Sequence, residues 1–328
     1  MNPNIDAVAT LKALITMQEC LICLSWTVLC VALAFAVTQI VQWRVNYWRS
    51  EGDKLQTSGY LPPKPTIFSV LLMRWLTRFL GVFMTGPIKV IGSENLKVNG
   101  RAMLIPNHTD HGDFVVVFRA LGFRIVRYLA AVEQLTGIRR GLAAFTGAFG
   151  VDRSSHRAGS LVVEAATNAS ITDGARSRIL LFMQGKLIRD NVVRFEDLKH
   201  GAARIGRKVH EHELGLESAA EFYYIPMGIA YKRDPKHATV FYKTVQGLIV
   251  RIRKATADQS KQGRLHKFGR LVSGKDFRAY FGEPNFGAVI VVGEPIPISS
   301  LPVAPKEITK VLGLAIQAEL EKAKALSA

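Results

Sequence analysis

The sequence predicts an α/β fold, in which a mainly parallel sheet is flanked by helices and preceded by an N-terminal membrane helix. Three observations predict it. Short apolar runs of strand length recur from about residue 90 onward, and segments with helical periodicity lie between them. This alternation favours parallel strands joined by helical crossovers. The third observation is a stretch without charged residues at positions 20–43.

Residues 1–50 are predicted to form a transmembrane anchor. A helix over residues 20–43 reaches about 36 Å, which is enough to cross a hydrocarbon core of about 30 Å. Trp43 and Trp48 stand at its end, and Arg44 and Arg49 follow there, so the rest of the chain is expected on the cytoplasmic face of the membrane. A cleaved signal peptide is the alternative, but the weakly basic start and the long apolar run favour an uncleaved anchor.

Residues 51–87 are predicted to contain a linker and an interfacial amphipathic helix. The linker ends in a proline-rich stretch at residues 62–65, and an apolar helix follows at residues 66–85. Arg74 and Arg78 lie four positions apart near its middle and therefore share one face. Two central arginines are unfavourable in a spanning helix but suit one that lies in the headgroup region. A core helix of the following domain is the alternative.

Residues 88–328 are predicted to form the main domain. Its first strand is an apolar run that ends at Pro106, and a helix opens at Asp113 soon afterwards. Further strands are expected where β-branched and aromatic residues cluster between turn residues. The predicted strands are residues 102–106, 126–132, 149–151, 178–183, 221–231, 239–245 and 288–292, and the predicted helices are residues 113–121, 141–146, 197–209 and 305–326.

The formal net charge is +17, which favours contact with nucleic acid, anionic lipid or an acidic carrier protein. Much of this charge lies in a basic insertion near residues 250–280. Between Arg251 and Arg278 the aromatic residues are Phe268 and Phe277, so base stacking has little support and nucleic acid is not a predicted partner. Membrane lipids and an acidic carrier fit the charge better.

The segment from Asn107 to Asp113 holds the densest group of proton-transfer side chains, with His108, Asp110, His111 and Asp113 within six positions. Three interpretations are open. His108 and Asp113 can form a pair that activates a substrate hydroxyl, provided the chain turns between them. The four side chains can instead form a metal site. The loop can also simply cap the helix that follows it.

No protein nucleophile accompanies this segment. The sequence contains no Gly-x-Ser-x-Gly elbow, no P-loop and no Gly-x-Gly-x-x-Gly, and no cysteine follows Cys30. A base without a protein nucleophile suits direct attack by a bound alcohol on an activated acyl group.

Four blocks, in order, resemble the glycerolipid acyltransferase family, typified by 1-acyl-sn-glycerol-3-phosphate acyltransferase. Asn107-His108 followed by Asp113 is similar to its first block, and the stretch from Gly147 to Arg153 is similar to its second. Residues 181–186 stand in place of the third block, and residues 225–228 resemble the fourth. The resemblance extends over about residues 66 to 325.

The resemblance implies an O-acyl transfer without a covalent acyl-enzyme. His108 would be the general base and Asp113 would orient it, while Asp110 and His111 would be bystanders. Acyl-CoA or acyl-carrier protein would be the donor, a lysolipid such as 1-acylglycerol-3-phosphate the acceptor, and no metal or cofactor would be needed. The substrate-binding residues implied are Asn107, Arg153, Gln184, Gly185, Lys186 and Pro226.

The third block departs from the family pattern. Gln184 stands where the family usually has Glu, and Lys186-Leu187 stands where it has Thr-Arg. A lysine is a point charge, whereas arginine offers a bidentate fork for phosphate. A lipid acceptor without phosphate is therefore one alternative function, and a metal-dependent lipid hydrolase is another.

Overall fold

In a computed structural model of the 328-residue chain, the described residues are 38–39, 41–57, 59–135, 138–153, 156–215, 220–234, 244 and 285–327. The chain divides into two compact units, Met1–Ser50 and Glu51–Ala328. In the first unit, residues 38–39 and 41–50 are helical. Trp43 and Tyr47 stack there with ring centroids 6.2 Å apart, and the Arg44 guanidinium lies 5.0 Å from the Trp43 ring centroid.

The second unit is built on one mixed sheet. Its strands are β1 (Ile88–Ile91), β2 (Arg101–Pro106), β3 (Arg127–Ala131), β4 (Ala148–Val151), β5 (Arg178–Leu180), β6 (Phe222–Tyr231), β7 (Ala288–Val292) and β8 (Ile296–Pro297). The strand order is β1-β7-β6-β2-β5-β3-β4, and β8 also pairs with β6. The neighbours β6, β2, β5, β3 and β4 run parallel to one another.

The prediction of a mainly parallel sheet flanked by helices is confirmed, and the antiparallel pairings are those of β7 and β8 with β6. The helices of this unit include α1 (Ile67–Met84), α2 (Asp113–Leu121), α3 (Ile138–Phe145), α4 (His156–Thr172), α5 (Gly201–Leu214) and α6 (Pro305–Ser327). Strand β1 and helix α4 were not predicted. The buried face of α4 consists largely of alanines, whose small side chains give a weak hydrophobic pattern.

Several predicted features lie outside the described residues. They are the basic insertion near residues 250–280, the strand at residues 239–245 except for Thr244, which is helical, and residues 1–37 and 40 of the predicted anchor. Within the part of the chain that is described, no helix combines the length and the apolar character that crossing a membrane requires.

Helix α1 has one buried face and one exposed apolar face. Thr66 and Ser69 form a reciprocal capping box at its start, which satisfies backbone N–H groups that a helix leaves unpaired. Val70, Met73 and Thr77 are buried. The opposite face leaves large apolar side chains exposed, namely Phe68 (73%), Leu71, Leu72, Trp75 (65%) and Phe79 (53%).

Helix α6 packs directly on β6, and a glycine permits the close approach. Gly228 lies where an added Cβ would be 2.1 Å from the Glu319 carbonyl carbon and 2.2 Å from the Leu320 nitrogen. Both neighbours are helix backbone, so they cannot swing aside. Strand β2, which precedes the candidate site, is buried along all six residues between β5 and β6.

We expect Gly228→Ala to lower the free energy of unfolding by about 1–3 kcal/mol, because the methyl group must push α6 away from the sheet. Urea denaturation followed by circular dichroism measures this. Gly159→Ala in α4 is the matched control, because an added Cβ there meets nothing within 4 Å. It should raise stability by about 0.5–1 kcal/mol through helix propensity. Equal effects of the two changes would contradict the packing argument.

Candidate active site

The candidate residues meet at one edge of the sheet. His108 follows the end of β2, Gln184 follows the end of β5, and Arg153 follows the end of β4. Because these strands are parallel, their carboxyl ends lie on the same edge, where α/β sheets commonly bind ligands. His108 and Gln184, which are 76 positions apart, are thereby brought into contact.

The Asp113 carboxylate is fully buried and is the centre of the site. Its Oδ2 accepts the backbone N–H groups of Thr109 at 2.6 Å and Asp110 at 2.9 Å. The same oxygen lies 3.0 Å from His108 Nδ1. Its Oδ1 accepts the Tyr231 hydroxyl at 2.7 Å. The backbone turn from residue 108 to 113 therefore brings together two side chains that a straight helix would hold apart.

The contact with Asp113 fixes the tautomer of His108. Oδ2 already accepts two N–H groups, so it also meets Nδ1 as an acceptor, and Nδ1 carries hydrogen. Nε2 is then the nitrogen with a free lone pair. The Phe182 ring stacks on the imidazole with centroids 4.2 Å apart. His108 keeps 23% of its side chain exposed, so the ring is bound by Asp113 on one side and remains partly accessible.

Tyr231 is a site residue that the sequence analysis missed. It ends β6, 118 positions from Asp113, and no local pattern connects the two. Burial raises the pKa of its hydroxyl well above the usual value, and the charge of Asp113 raises it further. The hydroxyl therefore keeps its proton and donates to Asp113. Gly112 makes room for it, because a Cβ at residue 112 would lie 3.0 Å from the Tyr231 oxygen.

Asn107 and Pro226 were both predicted to bind substrate. In the structure their polar groups form hydrogen bonds with the backbone of neighbouring segments. The Asn107 side chain accepts from Ile229 N at 2.7 Å and donates to Ile229 O at 3.1 Å, which continues the pairing of β2 with β6. Pro226 is buried in β6 beside Ile105. It has no N–H, and its carbonyl accepts from Gly293 N at 2.9 Å. Both residues fix the strands that carry the site.

Gln184 is likewise buried, with 2% of its surface exposed. Its Oε1 accepts from the His108 backbone N–H at 2.7 Å, and its Nε2 donates to the Val192 carbonyl at 3.2 Å. Gly185 follows in a turn with φ of 63°, which glycine adopts without strain. The third sequence block thus contacts the backbone of the first.

Cationic side chains surround this edge of the sheet. Arg153 donates to the Gly185 carbonyl at 2.6 Å and is paired with Glu133, a residue absent from the sequence predictions. Lys186 is paired with Asp197 at 2.6 Å. Within the described residues, the exposed Arg189 forms no ion pair, and its charge contributes to lowering the pKa of His111.

Asp110 and His111 differ from the central pair. The Asp110 Oδ1 accepts the Gly112 N–H at 2.8 Å. Burial raises the pKa of Asp110, the charge of Asp113 raises it further, and the Gly112 hydrogen bond opposes this shift. Burial also lowers the pKa of His111, as does neighbouring His108. Among the described residues, no three or more His, Cys, Asp or Glu side chains are grouped as metal ligands.

Comparisons with known proteins concern the same region. The family model described as Acyltransferase matches residues 87–230, from the residue before β1 to the penultimate residue of β6. A crystal structure of the 1-acyl-sn-glycerophosphate (LPA) acyltransferase PlsC from Thermotoga maritima is similar, with a TM-score of 0.44 and 12% identity. That match covers 78% of this chain and 80% of the other. Among curated proteins, none matches this chain by sequence.

We expect Asp110→Asn to stabilise the fold increasingly as pH rises from about 4 to about 8. The pKa of Asp110 is raised in the folded state. The carboxyl therefore costs nothing below its unfolded pKa, and its ionisation destabilises the fold as pH rises through the folded pKa. Asparagine keeps an oxygen for the Gly112 N–H and carries no charge. Melting temperatures of both proteins across this range measure the effect, and a difference that does not change with pH would contradict it.

Proposed function

Because residues 87–230 belong to the acyltransferase family, we propose that this chain transfers a fatty acyl group from acyl-CoA or acyl-carrier protein to the hydroxyl of a lysolipid. The predicted family membership is confirmed; donor and acceptor are part of the proposal. The observation that carries the proposal is His108, whose Nδ1 lies 3.0 Å from the buried Asp113 carboxylate.

The proposed reaction uses the lone pair of His108 Nε2. This nitrogen takes the proton of the acceptor hydroxyl, while the hydroxyl oxygen attacks the thioester carbonyl carbon. The carbon–sulfur bond then breaks, and the departing thiolate takes the proton from Nε2. Asp113 stabilises the imidazolium that forms between these steps. The acyl group passes directly to the acceptor, and the proposed chemistry needs neither a metal nor a cofactor.

A phosphate-bearing acceptor, such as 1-acylglycerol-3-phosphate, is the substrate we propose. Arg153 lies at the same edge as His108 and has 45% of its side chain exposed. Its partner Glu133 is also partly exposed, and surface ion pairs are weak. A phosphate with two negative charges can therefore replace Glu133 and accept charge-assisted hydrogen bonds from the guanidinium. The exposed Arg189 adds positive charge nearby.

We expect His108→Ala to lower acyl transfer about 10²- to 10⁴-fold, the usual contribution of a general base. The assay uses the purified full chain, labelled acyl-CoA or acyl-carrier protein, and acceptors with and without a phosphate. His212→Ala on the exposed side of α5 is the control and should keep wild-type activity. Full activity of His108→Ala would refute the mechanism. Preference for the phosphate-free acceptor would refute the proposed substrate.

The exposed face of α1 is proposed to lie in the headgroup region of an anionic membrane, where a lysolipid acceptor resides. Phe68, Trp75 and Phe79 form the centre of this face. Arg74 and Arg78 border it on one side, as their spacing on a helix requires. Apolar residues flanked by arginines favour a phospholipid surface over a purely apolar partner. The net charge of +17 also favours an anionic surface.

We expect the fluorescence of Trp75 to be quenched by vesicles of phosphatidylcholine and phosphatidylglycerol whose acyl chains are brominated close to the headgroup. Deeply placed bromine should quench it less, because an interfacial helix sits about 5–10 Å below the surface. The Trp75 signal is obtained by subtracting the Trp75→Phe spectrum. Adding Leu314→Trp to Trp75→Phe places the fluorophore on exposed α6 and should give an unquenched control. An unquenched Trp75 would exclude this orientation.

A further inference from the structure

The loop after β5, residues 182–192, contacts the catalytic loop, residues 107–113, through both the backbone N–H and the carbonyl of His108. We infer that this loop holds the general base in place and that Gln184 is a positioning residue which acts through the His108 backbone. The inference rests on the proposed function. It gives the altered third block a role in placing the base, whereas the sequence had suggested contact with the acceptor.

The Gln184 amide has an orientation that its partners determine. Its oxygen must face the His108 N–H, which is a donor, and its nitrogen must face the Val192 carbonyl, which is an acceptor. A flipped amide would place donor against donor and acceptor against acceptor. Since Gln184 is buried, water is not at hand to replace either contact. The side chain therefore ties residue 108 to residue 192 across the site.

Three further contacts complete the hold on the catalytic loop. Ile188 N donates to the His108 carbonyl at 2.8 Å, so both polar groups of that residue's backbone are bound by the loop. The Phe182 ring covers one face of the imidazole. Asn191, which adopts φ of 58°, accepts from the Asn107 side chain at 3.4 Å. Together these contacts leave the His108 main chain little freedom to move.

A deprotonated glutamate at position 184 could not form both hydrogen bonds that the Gln184 amide forms with His108 and Val192. One carboxylate oxygen could accept from His108 N, but the other would face the Val192 carbonyl oxygen without a hydrogen between them. Burial of the side chain favours the protonated acid. With the proton present, the acid would donate to Val192 as the amide does. The glutamine found here therefore supplies a contact that does not depend on pH.

This role predicts which kinetic constant changes. A base displaced by about 1 Å can lose on the order of 10²-fold in rate, whereas a lost substrate contact raises KM. Gln184→Met keeps the length of the side chain and removes both hydrogen bonds. We expect it to lower kcat about 10- to 100-fold and to change the KM values for donor and acceptor by less than about twofold.

A measurement without substrate tests the contact itself. Labelling with ¹⁵N-histidine gives backbone amide signals from eight residues, and the His108 signal is the one that His108→Ala removes. In Gln184→Met we expect this signal to move upfield and its hydrogen exchange to become at least about tenfold faster. An unchanged His108 amide would overturn the inference, whatever the assay shows.

The pH dependence of kcat in Gln184→Glu tests the hydrogen bond that the Gln184 amide nitrogen donates to Val192. Its kcat relative to wild type should be close to one at about pH 6 and fall as pH rises to about 8, where the acid loses its proton. Gln317→Glu is the matched control. Gln317 binds the neighbouring Val193 N at 2.9 Å and does not touch His108, so this variant should keep wild-type kcat throughout.

The outcomes separate the inference from the proposed function. If wild type transfers no acyl group but the His108 amide responds to Gln184→Met, the contact stands and the proposed reaction fails. If wild type is active and Gln184→Met raises KM at unchanged kcat, Gln184 binds substrate and the inference fails. A pH-independent ratio for Gln184→Glu also contradicts it. Melting temperatures of the variants show whether any loss of kcat reflects unfolding.

Discussion

The site depends on the hydrogen bonds that surround the buried carboxylate of Asp113. A buried carboxylate is unfavourable unless several donors surround it, and here two backbone N–H groups, the Tyr231 hydroxyl and His108 Nδ1 do so. Those donors come from the loop after β2 and from the end of β6, while Asp113 itself begins α2. The same contacts that make burial of Asp113 possible therefore set the turn of the catalytic loop and the tautomer of the histidine.

The parallel strands explain why distant segments can serve one site. The carboxyl ends of β2, β3, β4, β5 and β6 lie at one edge, so loops that follow them meet without long connections. The side chains at this edge fall into two groups, one bound within the protein and one exposed. Asn107, Gln184 and Tyr231 bind backbone or Asp113, and they are buried or turned inward. Arg153 and Arg189 lie further out, where a charged group of a substrate can approach.

The sequence was sufficient for the features that local chemistry determines. The residue types left the pairing of His108 with Asp113 as one of three interpretations, and the family resemblance selected it, whereas most strands followed from apolar runs. It could not show that the Asn107 and Gln184 amides bind backbone, because an amide has the same donors and acceptors for a ligand and for a peptide group. Tyr231 escaped notice because 118 residues separate it from Asp113. Helix α4 was missed because Ala158, Ala165 and Ala169 form much of its buried face.

The arrangement around His108 also restricts how an acceptor can bind. Asp113 holds Nδ1, Phe182 covers one face of the ring, and Gln184 and Ile188 hold the peptide. A hydroxyl must therefore approach Nε2 roughly in the plane of the ring. Since Arg153 contacts Gly185, the residue next to Gln184, the loop that holds His108 also binds Arg153. In the proposed reaction, one loop would therefore set the distance between the reacting hydroxyl and an anionic group of the acceptor, and its sequence would bear on both catalysis and the choice of acceptor.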